Sequence, residues 1–538
     1  MPTVHSEFWR LVRELGMTTV FGNPGSTELP FLSDFRSDMR YVLGLQEGAV
    51  VAMADGFTQV TGSPVLVNLH TAPGVGNAMG ALLTARDSRA PLVVTAGNQV
   101  RAMLTARHWL VNDEPTLLPR PAVKFAYEPP RAQDLPAALA RATYLAMSPP
   151  RGPVFVSMPQ DDYAEQMDAE AVDDLVSRRV GTRAVPEAGA LRDLADRLAA
   201  ARNPALVLGL SADAAGGRAD AITLAWRQHL PVYAAPSSGR SVFPSTDRLF
   251  AGYLPFGAEL INEQLAGHDF VAVIGAPVFT CYPYVPSRLV PAGTQVVMVS
   301  DDPDEIARAP LGDALLADPG LVLSALAAVA RSRAEATRPL PPQRARPTAP
   351  EPAGGPRPSA AEVFAALGPA LPTQLRITNE SPSNLADFHT YMPLTHAPCG
   401  YLTTPNGGLG YGLPAGVGAA IADPDTPVLS VVGEGSLQYT GQALWTAAQH
   451  QASVVTLVLR NDEYNILKAY AEFQQVVNDP GLDIPGLDTA AYARSYGVPG
   501  SRVDDGPEAV REAVVEALRN GGPTLIEVPI DTSVPPLV

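Results

Sequence analysis

Residues 428–465 read VLSVVGEGSLQYTGQALWTAAQHQASVVTLVLRNDEYN and indicate the architecture of this 538-residue chain. The stretch begins with an apolar, β-branched run, turns at GEGS over 433–436, and continues as a segment compatible with a helix. It ends with a second apolar run over 454–459, followed by the polar residues RNDE. Because a connection of this length has room for a helix, the pattern predicts two parallel strands joined by a helical crossover.

A polar side chain follows each of the two predicted strands, Glu434 after the first and Asn461 after the second. Parallel strands end at the same edge of a sheet, so we expect these residues to lie close together despite a separation of 27 positions. Carboxylate and amide oxygens suit Mg²⁺, and the N–H groups of Gly435 and Ser436 at a helix N-terminus favour an anion. The stretch therefore predicts a site for Mg²⁺ and a diphosphate, although GEGS alone is equally compatible with a tight turn carrying a solvated glutamate.

The composition is that of a globular protein with several domains. Hydrophobic residues make up 46% of the chain and charged residues 17%, enough apolar material to fill more than one core. A formal net charge of −17 argues against nucleic acid or an anionic membrane surface as a partner. Only two cysteines, Cys281 and Cys399, are present, which excludes a disulfide framework and agrees with a reducing compartment.

The N-terminal stretch MPTVHSEFWRLVREL carries charged residues within its first helical pattern, so it lacks the apolar core of a signal peptide. No apolar run approaches the length that spans a bilayer. We therefore expect a cytoplasmic protein with no membrane partner. The two lysines, Lys124 and Lys468, leave few candidates for a Schiff base, which weakens a pyridoxal phosphate interpretation.

Short apolar segments alternate with alanine-rich helical segments along the chain, in three groups. The groups include 18–21, 64–69, 92–95 and 154–157; then 205–208, 232–235, 270–274 and 295–299; and then 375–378, 428–432, 454–459 and 525–528. This alternation predicts an α/β fold of three open, doubly wound, mostly parallel sheets. A proline- and arginine-rich linker over 331–358 helps to place the expected domains at 1–180, 181–345 and 346–538.

The first group contains a second set of polar residues near strand ends. Ser26 lies in FGNPGSTELPF, Glu47 lies among apolar residues in LQEGAVV, and His70 ends the apolar run VNLH. Taken singly, Glu47 is compatible with a partly exposed helix residue and His70 with a structural histidine. Because all three lie near the carboxyl ends of predicted strands, where open α/β sheets build their sites, we predict a second half of a functional site there.

The glycine turn and the distant RND segment together resemble the cofactor motif of thiamine diphosphate enzymes, Gly-Asp-Gly followed about two dozen residues later by Asn-Asn. Here Glu434 stands where Asp is usual, and Arg460 replaces the first Asn. The segments FGNPGS, LQEGAVVAMADG, VNLHTAPGVGNAMGAL, TAGNQVRAM and LPRPAVKFAYEP extend the resemblance. From residue 1 through the C-terminal domain, the chain is similar to the thiamine diphosphate-dependent 2-oxo acid decarboxylases, and most to the benzoylformate decarboxylases.

The resemblance implies pyrimidine-binding, central and diphosphate-binding domains, with thiamine diphosphate and Mg²⁺, or Ca²⁺ in its place, between the first domain of one subunit and the last of another. A homodimer is then the minimum active unit, and we expect a homotetramer. The implied metal ligands are Glu434, Asn461 and the backbone carbonyl of Glu463. The central domain lacks a complete Gly-x-Gly-x-x-Gly at its first strand turn, so we expect it to bind no nucleotide.

The resemblance also assigns roles near the cofactor. Glu47 would hydrogen-bond N1′ of the aminopyrimidine, Ser26 would hold the substrate carboxylate, and His70 would act as acid and base. Leu409 matches the apolar wedge that bends the cofactor, in a segment, NGGLG, that by itself would indicate a loop. The remaining cofactor-binding residues implied are Gly407, Gly435, Ser436, Ser383 and Tyr464; Ser383 alone is compatible with an ordinary helix cap.

The substrate region departs from the benzoylformate decarboxylase pattern. Tyr282 aligns with a second active-site histidine, and a phenol keeps its proton at neutral pH whereas an imidazole exchanges one; packing is an equally good interpretation of Tyr282. The expected pocket consists of Pro24, Trp109, Leu110, Pro382, Ile466, Leu467 and Tyr470, with core packing as the competing explanation for the apolar members. We expect non-oxidative decarboxylation of a 2-oxo acid to an aldehyde. The alternatives are a carboligase that forms 2-hydroxy ketones and a cofactor-binding relative without turnover.

Overall fold

The computed structural model describes residues 1–330, 339–341, 347–351, 354–477, 480–534 and 537. The domain boundary expected at residue 345 lies outside the described residues, as does much of the linker expected over 331–358. No helix in the described part of the chain is long and apolar enough to cross a membrane.

Three six-stranded sheets account for the named strands of the described residues, and every pairing between those strands is parallel. The first sheet contains β1 (Thr19–Gly22), β2 (Arg40–Leu43), β3 (Val65–Leu69), β4 (Leu92–Asn98), β5 (Ala126–Tyr127) and β6 (Val154–Pro159). The second contains β7 (Pro204–Leu208), β8 (Val232–Ala234), β9 (Phe250–Tyr253), β10 (Phe270–Ile274), β11 (Gln295–Ser300) and β12 (Asp313–Leu316). The third contains β13 (Arg376–Glu380), β14 (Tyr401–Thr403), β15 (Val428–Gly433), β16 (Val454–Arg460), β17 (Gly500–Arg502) and β18 (Thr524–Pro529).

The first and third sheets share one topology. Their strand orders are β2-β1-β3-β4-β6-β5 and β14-β13-β15-β16-β18-β17, which is the same order when each domain is numbered from its own first strand. The middle sheet runs β12-β11-β10-β7-β8-β9, the order of a nucleotide-binding sheet read from its other edge. The expected fold class, three doubly wound parallel sheets, is confirmed.

Helices cover the faces of each sheet. The first domain has α1 (Val4–Glu14), α2 (Leu29–Leu32), α3 (Glu47–Thr61), α4 (Thr71–Asp87), α5 (Arg101–Leu104), α6 (Leu135–Met147) and α7 (Glu170–Ser177). The middle domain has α8 (Ala188–Ala200), α9 (Leu210–Ala214), α10 (Arg218–Gln228), α11 (Ala258–Gln264), α12 (Pro303–Arg308) and α13 (Pro319–Val329). The third has α14 (Ala360–Leu367), α15 (Leu385–Tyr391), α16 (Gly412–Ala422), α17 (Glu434–Thr440), α18 (Ala443–His450), α19 (Asn465–Phe473), α20 (Thr489–Ser495) and α21 (Pro507–Asn520).

The strands that sequence patterning predicted are the four inner strands of each sheet, and the strands that it missed are the edges. The missed strands are β2, β5, β9, β12, β14 and β17. These edges have two to four residues, and β5, β12 and β17 contain no buried position. An edge strand is covered on fewer sides, so it needs no continuous apolar run to mark it.

Helices α3 and α16 join the first and third domains. Gly418 lies so close to Met53 that a β-carbon at this position would come within 1.8 Å of the Met53 carbonyl oxygen, which only glycine avoids. Around this crossing, one cluster of buried side chains contains residues of both domains, among them Phe21, Val67, Val417 and Val458. The two sheets that carry the predicted site residues are therefore fixed to each other by a shared apolar core.

Candidate functional site

Glu47 is the first residue of α3 and is 8% exposed. Its two carboxylate oxygens accept hydrogen bonds from side-chain amides, Oε1 from Asn23 at 3.2 Å and Oε2 from Asn77 at 3.1 Å. A buried carboxylate is stable only when its oxygens are hydrogen-bonded, and the two asparagines meet that need. The geometry makes Glu47 a held, buried acceptor rather than an exposed helix residue.

His70 follows β3 and is bonded to a carboxylate that sequence reasoning did not identify. The Nδ1 atom of His70 lies 2.8 Å from Oε2 of Glu28, and Glu28 is 1% exposed. The other oxygen of Glu28 accepts from the N–H of Gly97 at 2.8 Å and from the hydroxyl of Thr27 at 2.8 Å. A carboxylate can only accept, so Nδ1 carries the hydrogen and Nε2 is the nitrogen left for exchange.

Two glycines make this Glu28–His70 pair possible. A β-carbon on Gly25 would lie 2.1 Å from Nδ1 of His70, and one on Gly97 would lie 2.3 Å from Oε1 of Glu28. Both positions therefore require glycine for close backbone approach, not for an unusual backbone angle. The sequence does contain a signal for Glu28. It is an acidic residue two positions after Ser26, and the glycine-containing segments FGNPGS and TAGN make room for its contacts.

The remaining predicted residues of the first domain lie near the surface of the single chain. Ser26 is exposed and begins the short 3₁₀ helix Ser26–Glu28, and Pro24 is half-buried. Trp109 is 91% exposed and Leu110 is 40% exposed, although the side-chain amide of Gln99 holds the Trp109 carbonyl at 2.9 Å. In the single chain, Trp109 is therefore an exposed apolar side chain and not part of a closed pocket.

At the third sheet the structure brings Glu434 and Asn461 together. Oε1 of Glu434 accepts the backbone N–H of Asn461 at 3.0 Å and that of Asp462 at 2.6 Å. Burial raises the pKa of Glu434 to about 7, and these N–H donors oppose that rise. The side-chain oxygen of Asn461 accepts the N–H of Glu463 at 3.2 Å. Glu434 is therefore bonded to the short turn over 461–463, which contains the other two residues expected to bind a metal.

Arg460, which replaces an asparagine of the family motif, is bonded to two acidic side chains, one of them in this turn. Its guanidinium donates to Glu527 on β18 at 2.9 Å and to Asp462 at 2.8 Å. Glu527 is 1% exposed and also accepts from the N–H and hydroxyl of Thr489 at 2.9 and 2.7 Å. The substitution is therefore accommodated by Glu527 and Asp462, and Asn461 keeps its backbone hydrogen bond to Glu434.

The residues after the turn fasten it to a second segment. Lys468 on α19 contacts the carboxylate of Glu463 and donates to Asp483 at 2.6 Å. The N–H of Tyr464 donates to the Leu482 carbonyl at 2.7 Å. A β-carbon on Gly435 would lie 2.5 Å from the Tyr464 ring, so the backbone of the glycine turn packs against this aromatic side chain. Ser436, the next residue of the turn, is buried.

The wedge segment, residues 402–410, is held at its C-terminal end by Glu380. This carboxylate accepts the backbone N–H groups of Gly410, Tyr411 and Gly412 at 2.5, 2.8 and 2.5 Å. Burial raises the pKa of Glu380 to about 7, against the effect of those donors. Gly407 is exposed with φ of +75°, and Leu409 is half-buried, so the middle of the segment faces open space.

One predicted substrate pocket residue of the third domain, Tyr470, lies against Tyr282 of the middle domain. The rings of Tyr282 and Tyr470 lie 5.1 Å apart at an angle of 44°, and Tyr282 is 58% exposed. Ile466 and Leu467 occupy the first turn of α19, and Leu467 is 46% exposed. Ser383 and the exposed Pro382 lie in the 3₁₀ helix Pro382–Asn384.

These residues fit thiamine diphosphate with a divalent cation. The buried Glu47 carboxylate can bond a ring nitrogen, and the Gly435 turn leaves backbone N–H groups for a diphosphate. No group of three or more His, Cys, Asp or Glu side chains is placed to hold a metal in the described residues. One carboxylate, one amide and one carbonyl instead match Mg²⁺, which keeps waters and phosphate oxygens as further ligands.

Three family models match the chain in the order of its domains. Residues 3–114 match the N-terminal thiamine pyrophosphate binding domain of thiamine pyrophosphate enzymes, residues 191–326 match the central domain, and residues 384–528 match the C-terminal thiamine pyrophosphate binding domain.

Individual relatives match over nearly the full length. Benzoylformate decarboxylase of Pseudomonas aeruginosa is 45% identical over 535 residues, which are 99% of this chain and 100% of that protein. The structure of a thiamine diphosphate-dependent 4-hydroxybenzoylformate decarboxylase from Rhodococcus jostii RHA1 is similar with a TM-score of 0.95 and 42% identity, covering 98% of this chain and 99% of that one. Benzoylformate decarboxylase from Polynucleobacter necessarius gives a TM-score of 0.94 and 39% identity, with both chains covered completely.

Proposed function

This chain belongs to the thiamine diphosphate-dependent 2-oxo acid decarboxylases, and we propose that it converts an aryl 2-oxo acid such as benzoylformate to the aldehyde and carbon dioxide. The Glu28–His70 pair carries the proposal, because the buried carboxylate of Glu28 orients the half-buried imidazole of His70 and leaves its Nε2 available to carry a proton. The aryl group is proposed from the substrates named for three similar proteins, benzoylformate and 4-hydroxybenzoylformate.

Thiamine diphosphate, when bound, supplies the carbon that adds to the 2-oxo group and the electron sink for loss of carbon dioxide. The protein supplies position and protons. We assign Glu47 the hydrogen bond to the pyrimidine ring, since its carboxylate is buried and already oriented by Asn23 and Asn77. Leu409 and the Gly407 carbonyl would contact the same ring from the wedge segment, and Ser383 and Ser436 would face the diphosphate.

In the substrate region, the hydroxyl of Ser26 would donate a hydrogen bond to the carboxylate that leaves as carbon dioxide. Nε2 of His70 would take up and return a proton at the substrate oxygen, because Glu28 keeps the other ring hydrogen on Nδ1. Tyr282 and Tyr470 would form an aromatic wall on the opposite side, with Ile466 limiting its depth. A stacked or edge-on aryl group suits such a wall better than a short alkyl group.

Mg²⁺ is proposed at the turn formed by Glu434, Asn461 and the Glu463 carbonyl, with Ca²⁺ as a substitute. The contacts among these residues support it, since the Glu434 carboxylate accepts the backbone N–H of Asn461, and the side-chain oxygen of Asn461 accepts that of Glu463. Both cysteines are free thiols, which supports a reducing compartment such as the cytoplasm.

The active unit is proposed to be a homodimer, within a homotetramer, that pairs the first domain of one chain with the third domain of another. Within the described residues, the carboxylate of Glu47 hydrogen-bonds only to residues of its own domain. Exposed apolar side chains lie beside both halves, Trp109 in the first domain and Leu467 in the third. A second chain would cover both surfaces.

Mixing two inactive variants tests this arrangement. Glu47→Gln disables one half and the double variant Glu434→Ala/Asn461→Ala, which removes both metal-binding side chains, disables the other, so a mixed dimer has one site with both defects and one with neither. Co-refolded or co-expressed variants should recover about a quarter of the wild-type activity if the halves come from different chains. No recovery, with mixed dimers shown by mass spectrometry, would mean that each site forms within one chain.

Carbon dioxide release from pyruvate, a branched aliphatic 2-oxo acid, benzoylformate and 4-hydroxybenzoylformate tests the substrate proposal. We expect release from the aryl acids, with the matching aldehyde identified as product, and at least tenfold lower kcat/KM for the aliphatic acids. Faster turnover of an aliphatic acid would overturn the aryl assignment while leaving decarboxylation intact.

A carboligase activity is the second candidate, and the phenol at Tyr282 favours it. Because a phenol is a poorer proton relay than imidazole, slow delivery of the product proton would leave time for bond formation to a second aldehyde. Tyr282→His should raise the ratio of aldehyde to 2-hydroxy ketone several-fold, measured by chromatography with excess benzaldehyde. An unchanged ratio would contradict the role given to the phenol.

A further inference from the structure

The middle domain contacts the wedge segment directly, through residues 237–240 between β8 and β9. The hydroxyl of Ser237 donates to the Pro405 carbonyl at 2.5 Å, and the N–H of Thr403 donates to the Gly239 carbonyl at 3.1 Å. Arg240 then pairs with Leu402 in an antiparallel bridge. Three consecutive contacts therefore align one loop of the middle domain with the segment that leads into Gly407 and Leu409.

The same loop is anchored in the protein interior by Arg240. This side chain is 4% exposed, and its guanidinium donates to Asp213 of the middle domain at 2.6 Å. A second nitrogen donates to Gln59 on α3, to the side-chain oxygen at 2.6 Å and to the carbonyl at 3.2 Å. Since α3 begins with Glu47, Arg240 links the middle domain to both predicted pyrimidine contacts, the helix of Glu47 and the wedge segment.

The buried network continues from α3 back to the end of the wedge segment. The amide of Gln59 donates to Asp55 at 2.9 Å, and the hydroxyl of Tyr411 reaches the same carboxylate oxygen at 3.4 Å. Tyr411 follows Gly410, where Glu380 holds the backbone. The wedge segment is thus held at both ends. Residues 237–240 of the middle domain hold its N-terminal end, and Glu380 of the third domain holds its C-terminal end.

We propose that residues 237–240 are a positioning element for cofactor binding, with Ser237 and Arg240 setting where the wedge segment presents Gly407 and Leu409. The proposal rests on the function proposed above, because it takes that segment to contact the pyrimidine ring. It gives the middle domain a part in the active site that does not depend on binding a nucleotide. Ser237 and Arg240 act through the segment and are not catalytic residues.

The test uses Ser237→Ala, which deletes one hydroxyl, with Ser245→Ala as its matched control. Ser245 also joins the middle and third domains, since its hydroxyl accepts the N–H of Leu394 at 2.8 Å, but it does not touch the wedge segment. Calorimetric titration with thiamine diphosphate in the presence of Mg²⁺ gives the affinity of the full-length protein. We expect about fivefold weaker binding for Ser237→Ala, the size of one net hydrogen bond, with unchanged affinity for Ser245→Ala and similar melting temperatures for both.

A purely structural role would lower both melting temperatures and leave both affinities alone, and that result would overturn the proposal. Arg240→Met is the stronger variant, but it leaves Asp213 buried without its partner and can prevent folding, so the conclusion is drawn from Ser237→Ala. Leu409→Ala distinguishes failure of this inference from failure of the proposed function. If Leu409→Ala weakens cofactor binding and Ser237→Ala does not, only the present inference is wrong. If neither variant changes the affinity for the cofactor, the wedge segment has no part in the proposed function.

Discussion

The first and third domains have the same strand order but use carboxylates at their sheet edges in different ways. In the first domain, Glu47 accepts only from side-chain amides, and Glu28 accepts from His70 as well as from backbone. In the third, Glu380 and Glu434 accept from runs of two or three backbone N–H groups. In the first domain each carboxylate is bonded to side chains, the asparagine amides for Glu47 and the imidazole of His70 for Glu28. In the third domain the carboxylates hold loops in shape.

This difference suggests how one topology can serve two tasks. A carboxylate bonded to side chains can pass an interaction on to a ligand, whereas one that accepts several backbone N–H groups fixes a turn and is costly to disturb. We therefore expect variants of the first domain to change turnover, and variants of the third domain to change cofactor affinity or stability. The predictions below test that division, starting with the largest expected effect.

Glu47→Gln should lower kcat by about a hundredfold to ten-thousandfold, the range for loss of a proton-handling group. Glutamine keeps the size of the side chain and one acceptor for Asn23 or Asn77, so circular dichroism and the melting temperature should stay close to wild type. Steady-state decarboxylation at saturating thiamine diphosphate measures the effect. A loss of affinity for thiamine diphosphate without a loss of kcat would mean that Glu47 acts like the carboxylates of the third domain, which contradicts the difference proposed between the two domains.

Glu380 should make the free energy of unfolding depend on pH. Its pKa is raised to about 7 by burial, so between about pH 4.5 and 7 the folded chain keeps a proton that the unfolded chain releases. Stability should therefore fall as pH rises through that window, by up to about 3 kcal/mol, or about a hundredfold in the folding equilibrium.

Glu380→Gln cannot titrate and should lose this component while being less stable overall, because glutamine offers fewer acceptors to the three N–H groups. Urea unfolding of both proteins at pH 5 and pH 7.5 provides the comparison. If the difference in stability between them is the same at both pH values, the carboxyl is ionised throughout and the three donors outweigh burial.

Glu28→Gln should lower kcat/KM by roughly tenfold to a hundredfold. A glutamine amide can donate to Nδ1 of His70, which favours the tautomer with its hydrogen on Nε2, the opposite of the native arrangement. The pH profile of kcat/KM should change shape as well as height, and Glu28→Asp should restore part of the activity. A reduced rate with an unaltered profile would indicate that Glu28 serves only to pack the loop.

Asn461→Ala should weaken thiamine diphosphate binding about tenfold in the presence of Mg²⁺, with kcat at saturating cofactor within a few-fold of wild type. The reason is that the variant removes one oxygen ligand but leaves Glu47, His70 and Glu28 in place. Titrations with and without a chelator show whether the loss of affinity for thiamine diphosphate depends on the metal ion. Equal affinities of variant and wild type under both conditions would remove Asn461 from the metal site.

Sequence patterning identified the inner strands of all three sheets, because fully buried strands such as β15 and β16 need continuous apolar runs. It could not identify edge strands such as β5, which has two half-buried residues. Proximity of Glu434 and Asn461 followed from the parallel crossover alone.

The residues missed in the site are those whose partners come from other strands. Glu28 meets Gly97 on β4 and His70 after β3, and no local pattern records these contacts. The accommodation of Arg460 depends on Glu527, 67 positions away. Such pairings are set by strand order and register, which hydrophobic periodicity does not encode.

The contact between Lys468 and Glu463 also affects how the protein can be handled chemically. Of the 538 residues only two are lysine, and the other, Lys124, donates to the carbonyls of Leu145 and Ser148. Amine-reactive dyes, cross-linkers and activated resins therefore have few targets, and one of them borders the turn of Glu434 and Asn461. Modification of Lys468 would break its contacts with Glu463 and Asp483, so amine chemistry on this protein acts on the proposed metal site.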